Sequence, residues 1–192
     1  MEIYDVDVAQ IRPPNEAVLR MPSEVIEPSD PATVSLLEAW APGAEGLSDA
    51  ATSLAGDAAV AAARGQHGVH ESGCSNCGIP HERYVRYFGD KLPPLPWCAF
   101  FVSWCFATSG HRPPWRNPGY VGSIHEWATS NGRLVQEPAH GDIFGISDSH
   151  CGLVAGANPS AGQIFTVEGN WSQQVLSRLL SYRGTGIWFA RF

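Results

Sequence analysis

Cys98 is the residue in this chain best placed to do chemistry. It follows Pro93-Pro94-Leu95-Pro96-Trp97 and opens the run Ala99-Phe100-Phe101-Val102-Ser103-Trp104-Cys105, where a proline-rich loop gives way to helical spacing. A thiol at a helix start meets unpaired backbone N–H groups and the positive end of the helix dipole, both of which favour thiolate over thiol. The chemistry this suggests is nucleophilic attack on an acyl carbon. Free cysteine is also often just a small buried apolar residue, so the segment alone leaves both roles open. A thiol nucleophile further needs a base to take its proton and a group to orient that base.

One later stretch offers both. Gly141 to Gly156 reads as two short strands about a turn, with His150 opening the second. The next strand, Gln163 to Asn170, carries a carboxylate at Glu168 and an amide at Asn170. Because strand side chains alternate between faces, Thr166, Glu168 and Asn170 share one side, while Phe165 and Val167 share the other. The apolar pair can face a core while the polar set faces a groove.

The order of these residues resembles the CHAP family, the cysteine, histidine-dependent amidohydrolases and peptidases. The likeness lies in Trp97-Cys98-Ala99, Phe101-Val102-Ser103-Trp104, then Gly141-Asp142, Ser149-His150, Gly152 and Val154, then Glu168-Gly169-Asn170. Upstream, Glu71-Ser72-Gly73-Cys74-Ser75-Asn76, Tyr84 and Tyr87-Phe88-Gly89 look like the loop and helix that precede the nucleophile, and Gly186 to Arg191 looks like a closing strand. The resemblance spans residues 47–192. It implies a papain-like α+β fold in which N-terminal helices, including the nucleophile helix, pack on a C-terminal antiparallel sheet. It makes Cys98 the nucleophile, His150 the general base that later protonates the leaving amine, and Glu168 the support for the imidazolium. Asn170 is then a competing or assisting third member, and Asn76 and Trp97 are candidates to line the substrate groove. A turn-forming asparagine and a packed tryptophan are equally good readings of those two. Two positions depart from the family pattern. Cys151 stands where an aliphatic residue is commoner and is expected to point away from His150, into the core. His140 stands where proline is frequent and is the rival base, although it precedes the turn rather than lying on the strand.

The same resemblance implies bacterial peptidoglycan as substrate, cut as an amidase or an endopeptidase, with no cofactor. Other cysteine-dependent acyl chemistry on a protein substrate, or a non-catalytic zinc or wall-binding module, are the alternatives. An enzyme of this kind suits a phage lysin or an antibacterial effector, made in the cytoplasm and released by lysis or a dedicated secretion machine. An immunity or inhibitor protein is an implied partner, and a monomer is expected.

These residues need elements to hold them. Ser48 to Gly65 reads as a helix, with Ser48 or Asp49 as cap, alanines within and Gly65 at its end. Further helices are expected from His81 to Phe88, from Cys98 to Thr108 and around Ser123 to Ser130, before strands begin near Leu134-Val135. Helices first and strands later imply an α+β fold. A chain of 192 residues, 44% hydrophobic with seven tryptophans, can build a core for one compact domain.

Residues 1–46 hold nine acids and two arginines and account for all of the net charge of −7. This proline-rich segment is expected to be an extension, either a leader wrapped on the domain or a flexible arm. A short helix within it is plausible from Asp30 to Trp40, because proline suits a first helical position. The rest of the chain is neutral with no basic stripe, which argues against a nucleic-acid partner. No stretch approaches the roughly 18 continuous apolar residues of a membrane span, and Met1 to Asp7 lacks the basic and apolar regions of an export signal. Cys74 and Cys77 form a single C-x-x-C with His67, His70 and His81 nearby. Zinc ligation, a disulfide and two free thiols all fit that spacing.

Overall fold

The computed structural model describes Tyr4 and residues 6–13, 23–26 and 50–192. The expected helix from Asp30 to Trp40, the Ser48 and Asp49 caps and the boundary at residues 46 and 47 lie outside these residues.

Helix α1 (Ala50–Arg64) is built from small residues. Ala55, Ala59, Val60 and Ala63 are buried along one face while Leu54 on another is exposed, the helical spacing expected of an element with one side against a core. The small residues let neighbouring backbone approach closely. A Cβ added at Gly56 would lie 2.6 Å from the carbonyl oxygen of Gly141, so both positions require glycine. Residues 81–88, expected as one helix, instead form a wide π-type turn (His81–Val85) running into a 3-10 turn (Arg86–Phe88). That change of winding turns Tyr84, Val85 and Phe88 inward. Helix α2 (Cys98–Thr108) carries apolar residues around most of its surface, the composition of a helix enclosed on all sides. Its one polar interior residue, Ser103, is satisfied by donating to Pro118 O at 2.8 Å and accepting from Trp115 Nε1 at 2.8 Å. Helix α3 (Val121–Ser130) follows.

Seven strands then form one antiparallel sheet: β1 (Ser23–Ile26), β2 (Leu134–Val135), β3 (Ile143–Ile146), β4 (His150–Asn158), β5 (Gln163–Trp171), β6 (Gln174–Ser181) and β7 (Ile187–Ala190). Their spatial order is β1-β6-β5-β4-β3-β7-β2. Mixed helices and an antiparallel sheet make this an α+β fold. Alternation along β4 and β5 sorts their side chains between the faces. Cys151, Leu153, Phe165 and Val167 join the cluster that includes α2, while Val154 and Ile164 join a second cluster with Phe144, Leu180 and Phe189. Strand β6 and the edge strand β1 were not anticipated from sequence.

The described pieces of residues 1–46 are built onto the body of the fold. Tyr4 meets Phe88 edge to face at 4.9 Å, and Asn117 Nδ2 donates to Asp7 O at 3.0 Å. Strand β1 pairs with β6 from Ser23 opposite Leu180 to Ile26 opposite Ser177. Among the described residues, no helix is long and apolar enough to cross a membrane.

Candidate active site

Cys98 is the first residue of α2, and no side chain caps that helix start. The preceding Trp97 is held from two sides: its ring stacks on Tyr84 with centroids 5.4 Å apart, and its Nε1 donates to Glu71 Oε1 at 2.9 Å. Glu71 Oε2 also accepts the backbone N–H of Asn76 at 2.6 Å, which ties the 71–77 loop to the helix start. Across the site, β5 comes so close to α2 that a Cβ at Gly169 would lie 2.6 Å from Phe101 and 2.8 Å from Trp97. The chain therefore places the residue before Cys98 and the residue after Glu168 in direct contact.

His150 begins β4 and is fully buried. Its Nε2 lies 2.6 Å from Glu168 Oε2. Its Nδ1 is buried with no hydrogen-bond partner and is the nitrogen left for a proton shared with sulfur. The Cys98 sulfur lies 4.0 Å from Ser149 O, the carbonyl just before His150, and the thiol and the imidazole perturb each other strongly. The neighbouring Cys151 thiol, opposed by burial and joined by the nearby His150 imidazole and its charge, holds the Cys98 thiol well below its ordinary pKa. Burial works against protonating His150, but the neighbouring Cys98 sulfur and the hydrogen bond to Glu168 overcome it and raise its pKa to about 9. Burial likewise disfavours ionised Glu168, and the Arg178 charge together with His150 overcomes it, lowering its pKa to about 2. The combination favours thiolate, imidazolium and carboxylate together near neutrality.

Glu168 is saturated with donors. Besides His150, its oxygens accept Thr166 Oγ1 at 2.5 Å, Arg178 Nε at 2.9 Å and Arg178 Nη2 at 2.7 Å. Arg178, also fully buried, lies 3.5 Å over the Trp171 ring, whose centroid is 5.3 Å from that of His150. Sequence reasoning missed Arg178 because β6 shows no clean alternation. The available signal was a single arginine inside the apolar run Val175-Leu176-Ser177-Arg178-Leu179-Leu180.

The other expected site residues fall in different places. Asn170 touches neither ring nitrogen of His150, since Nε2 is taken by Glu168 and Nδ1 has no partner. A register shift after Glu168 and a φ of 62° at Asn170 break the alternation that was to set it beside Glu168, and its Nδ2 donates to Asn76 Oδ1 at 3.4 Å. Asn76 is half-buried in the turn with a φ of 61°, a conformation asparagine tolerates. Trp97 lines no open groove, being wholly buried as a packing residue. Cys74 and Cys77 are joined by a disulfide, so they are not zinc ligands; among the described residues no cluster of three or more metal-ligating side chains occurs. His140 Nδ1 lies 2.7 Å from Asp57 Oδ1, on the α1 side. Cys151 is buried as expected, and it lies near enough to Cys98 for the two thiols to shift each other's pKa, Cys98 downward and Cys151 upward. Cys105 is buried, which raises its pKa well above the ordinary value and keeps it a thiol.

Compared with known proteins, the chain matches no family model, no curated sequence and no solved structure. Its chemistry has to be read from its own residues. Cys98 is only 2% exposed, so its sulfur is closed off from solvent in this conformation. The carbonyl of Ser149, in the turn of residues 147–149 between β3 and β4, lies against that sulfur at 4.0 Å. Ser147, in that turn, has a φ of 46° and its carbonyl accepts Trp188 Nε1 at 3.1 Å.

Proposed function

We propose that this protein is a cysteine-dependent amide hydrolase of the CHAP type, with a papain-like arrangement of nucleophile helix and sheet, acting on bacterial peptidoglycan. The observation that carries the reading is the 2.6 Å contact of His150 Nε2 with Glu168, which leaves Nδ1 for the Cys98 sulfur at a helix start. In this reading the thiolate attacks an amide carbon, and backbone N–H groups of the first turn of α2 stabilise the oxyanion. The imidazolium gives its Nδ1 proton to the departing amine. Water, deprotonated by the same nitrogen, then cleaves the thioester and releases the acid. The peptidoglycan assignment comes from the motif resemblance of residues 97–104, 141–154 and 168–170. The Cys74 to Cys77 disulfide agrees with work outside a reducing cytoplasm. It also removes two ligands from the zinc-module alternative.

The test is digestion of purified peptidoglycan with mass analysis of the soluble fragments, alongside Cys98→Ala and alkylation of the wild type by iodoacetamide. The expected result is fragments with new amine and carboxyl ends from the wild type, none from Cys98→Ala, and loss of turnover on alkylation at Cys98. Undiminished release by Cys98→Ala overturns the mechanism. No release by a wild type that does alkylate at Cys98 overturns the substrate and favours acyl chemistry on a protein.

A further inference from the structure

Arg178 sits in the middle of β6, one strand in from the sheet edge, and is 0% exposed. A buried guanidinium is costly to desolvate, and replacing a buried ion pair with apolar residues of similar volume is often neutral or stabilising. Stability alone is a poor reason for its presence. Its contacts point to another. It lies opposite Thr166 on β5 and diagonal to Glu168, whose cross-strand partner is Leu176. From there its fork takes both Glu168 oxygens, Nε to Oε1 and Nη2 to Oε2, while its face covers Trp171. The remaining arm, Nη1, donates to Ser23 Oγ at 3.0 Å on β1, the edge strand whose Val25 lies opposite Arg178. The guanidinium is thus pinned at three points, and the carboxylate that holds His150 is pinned by the guanidinium.

We infer that Arg178 is a positioning residue for the Cys98 and His150 pair, acting through Glu168, and that β1 of the N-terminal segment holds it in place through Ser23. The inference rests on the hydrolase reading above and gives the N-terminal segment a part in the site. The charged and titratable groups around Glu168 and His150 are Arg178 from β6, Cys151 from β4 and Cys98 from α2. Thr166 and Trp171 from β5 and Phe144 from β3 complete the surroundings without charge. Arg178 is the one fixed cation in that set. If Glu168 keeps its charge, removing Arg178 makes the surroundings more negative and disfavours the Cys98 thiolate; if Glu168 takes a proton instead, His150 loses the anion that supports its imidazolium, and the thiolate loses that cation.

The experiment is a pH titration of thiolate absorbance at 240 nm, taken as full-chain protein minus its Cys98→Ser counterpart, which needs neither substrate nor access to the sulfur. It is run on the wild type, Arg178→Met, Arg178→Lys and Ser23→Ala, each checked for folding by circular dichroism. In Arg178→Met the thiolate onset is expected to rise by about one pH unit or more, a roughly tenfold fall in thiolate below the onset. Arg178→Lys keeps the charge without the fork, so its onset stays within about half a unit of wild type while turnover falls. Ser23→Ala moves the onset upward by a smaller amount, about two- to threefold in thiolate. Folded variants whose onset equals that of the wild type overturn the inference and leave the hydrolase reading intact. If Arg178→Met does not fold, an unmoved onset in Ser23→Ala together with full turnover in Arg178→Lys overturns it equally. A wild type with no thiolate between pH 5 and about 8, where an ordinary cysteine is still a thiol, instead sinks the hydrolase reading itself.

Discussion

Replacing Gly169 by alanine tests the geometry of the site with a single methyl group. The added Cβ meets Phe101 Cβ and Cγ at 2.6 Å and Trp97 Cζ3 at 2.8 Å, where ordinary contact begins at 3.4 Å, a shortfall of about 0.8 Å. Phe101 and Trp97 are both 0% exposed and hemmed by Tyr84, so neither ring can swing clear. Backbone has to move, and the pieces that move apart are β5 at Glu168 and α2 at Cys98. Overpacking of this size costs about 1–3 kcal/mol, and for a chain of this length each kcal/mol lowers Tm by about 2–4 °C. A displacement approaching 1 Å within a catalytic constellation costs about 100-fold in rate. The assay is a thermal melt together with kcat/KM on peptidoglycan and the rate of Cys98 alkylation. Gly65→Ala is the control, because its Cβ meets nothing closer than 3.5 Å and its φ is not positive. An alanine at 169 that leaves Tm, kcat/KM and alkylation unchanged refutes the close contact of β5 with α2, and with it the placement of Glu168 relative to Cys98.

Further outcomes follow from the same site. Turnover is expected to fall at high pH as His150 loses its proton near pH 9, and at low pH as the Cys98 thiolate is protonated, giving a bell in a pH profile of kcat/KM. Glu168 contributes stability that is present above its unfolded pKa of about 4.3 and is lost as pH falls toward its folded value of about 2; Glu168→Gln removes that acid-side dependence in pH-dependent melts. Cys151→Ala removes the largest influence lowering the Cys98 pKa, so the thiolate onset at 240 nm shifts upward, whereas Cys105→Ala leaves it in place. His140→Ala loses its contact with Asp57 and affects melting by about 1 kcal/mol or less, with kcat/KM unchanged; a hundredfold loss of activity would make it the base instead.

Much of the architecture could be read from local rules. The stretch from Cys98 to Thr108 and the strands opening at Leu134, His150 and Gln163 have spacings and punctuation that belong to one conformation. The residues 81–88 resisted that reading because π and 3-10 winding differ from α by a small change in hydrogen-bond register, set here by the burial of Tyr84 and Phe88. Strand β6 was missed because its residues are buried on both faces, Val175 and Leu176 being neighbours, so period two is absent. Strand β1 is only four residues long and mostly exposed, so its own sequence gives little strand signal, and it forms against the backbone edge of β6.

The site divides the same way. A cysteine at a helix start, a histidine opening one strand and an acid on the next are visible as residue types in order, because each owes its position to its own element. Which of Glu168 and Asn170 meets His150 depended on a register shift between them, and that shift is a property of the pairing of β5 with β6. Glu168 is held by an arginine ten residues beyond it in sequence, and that arginine donates in turn to Ser23 on the edge strand of the sheet. Local sequence sets which side chains are available and which face of their own element they share. Only tertiary pairing decides which buried charges meet, because electrostatic coupling depends on distance through the folded interior and not on separation along the chain.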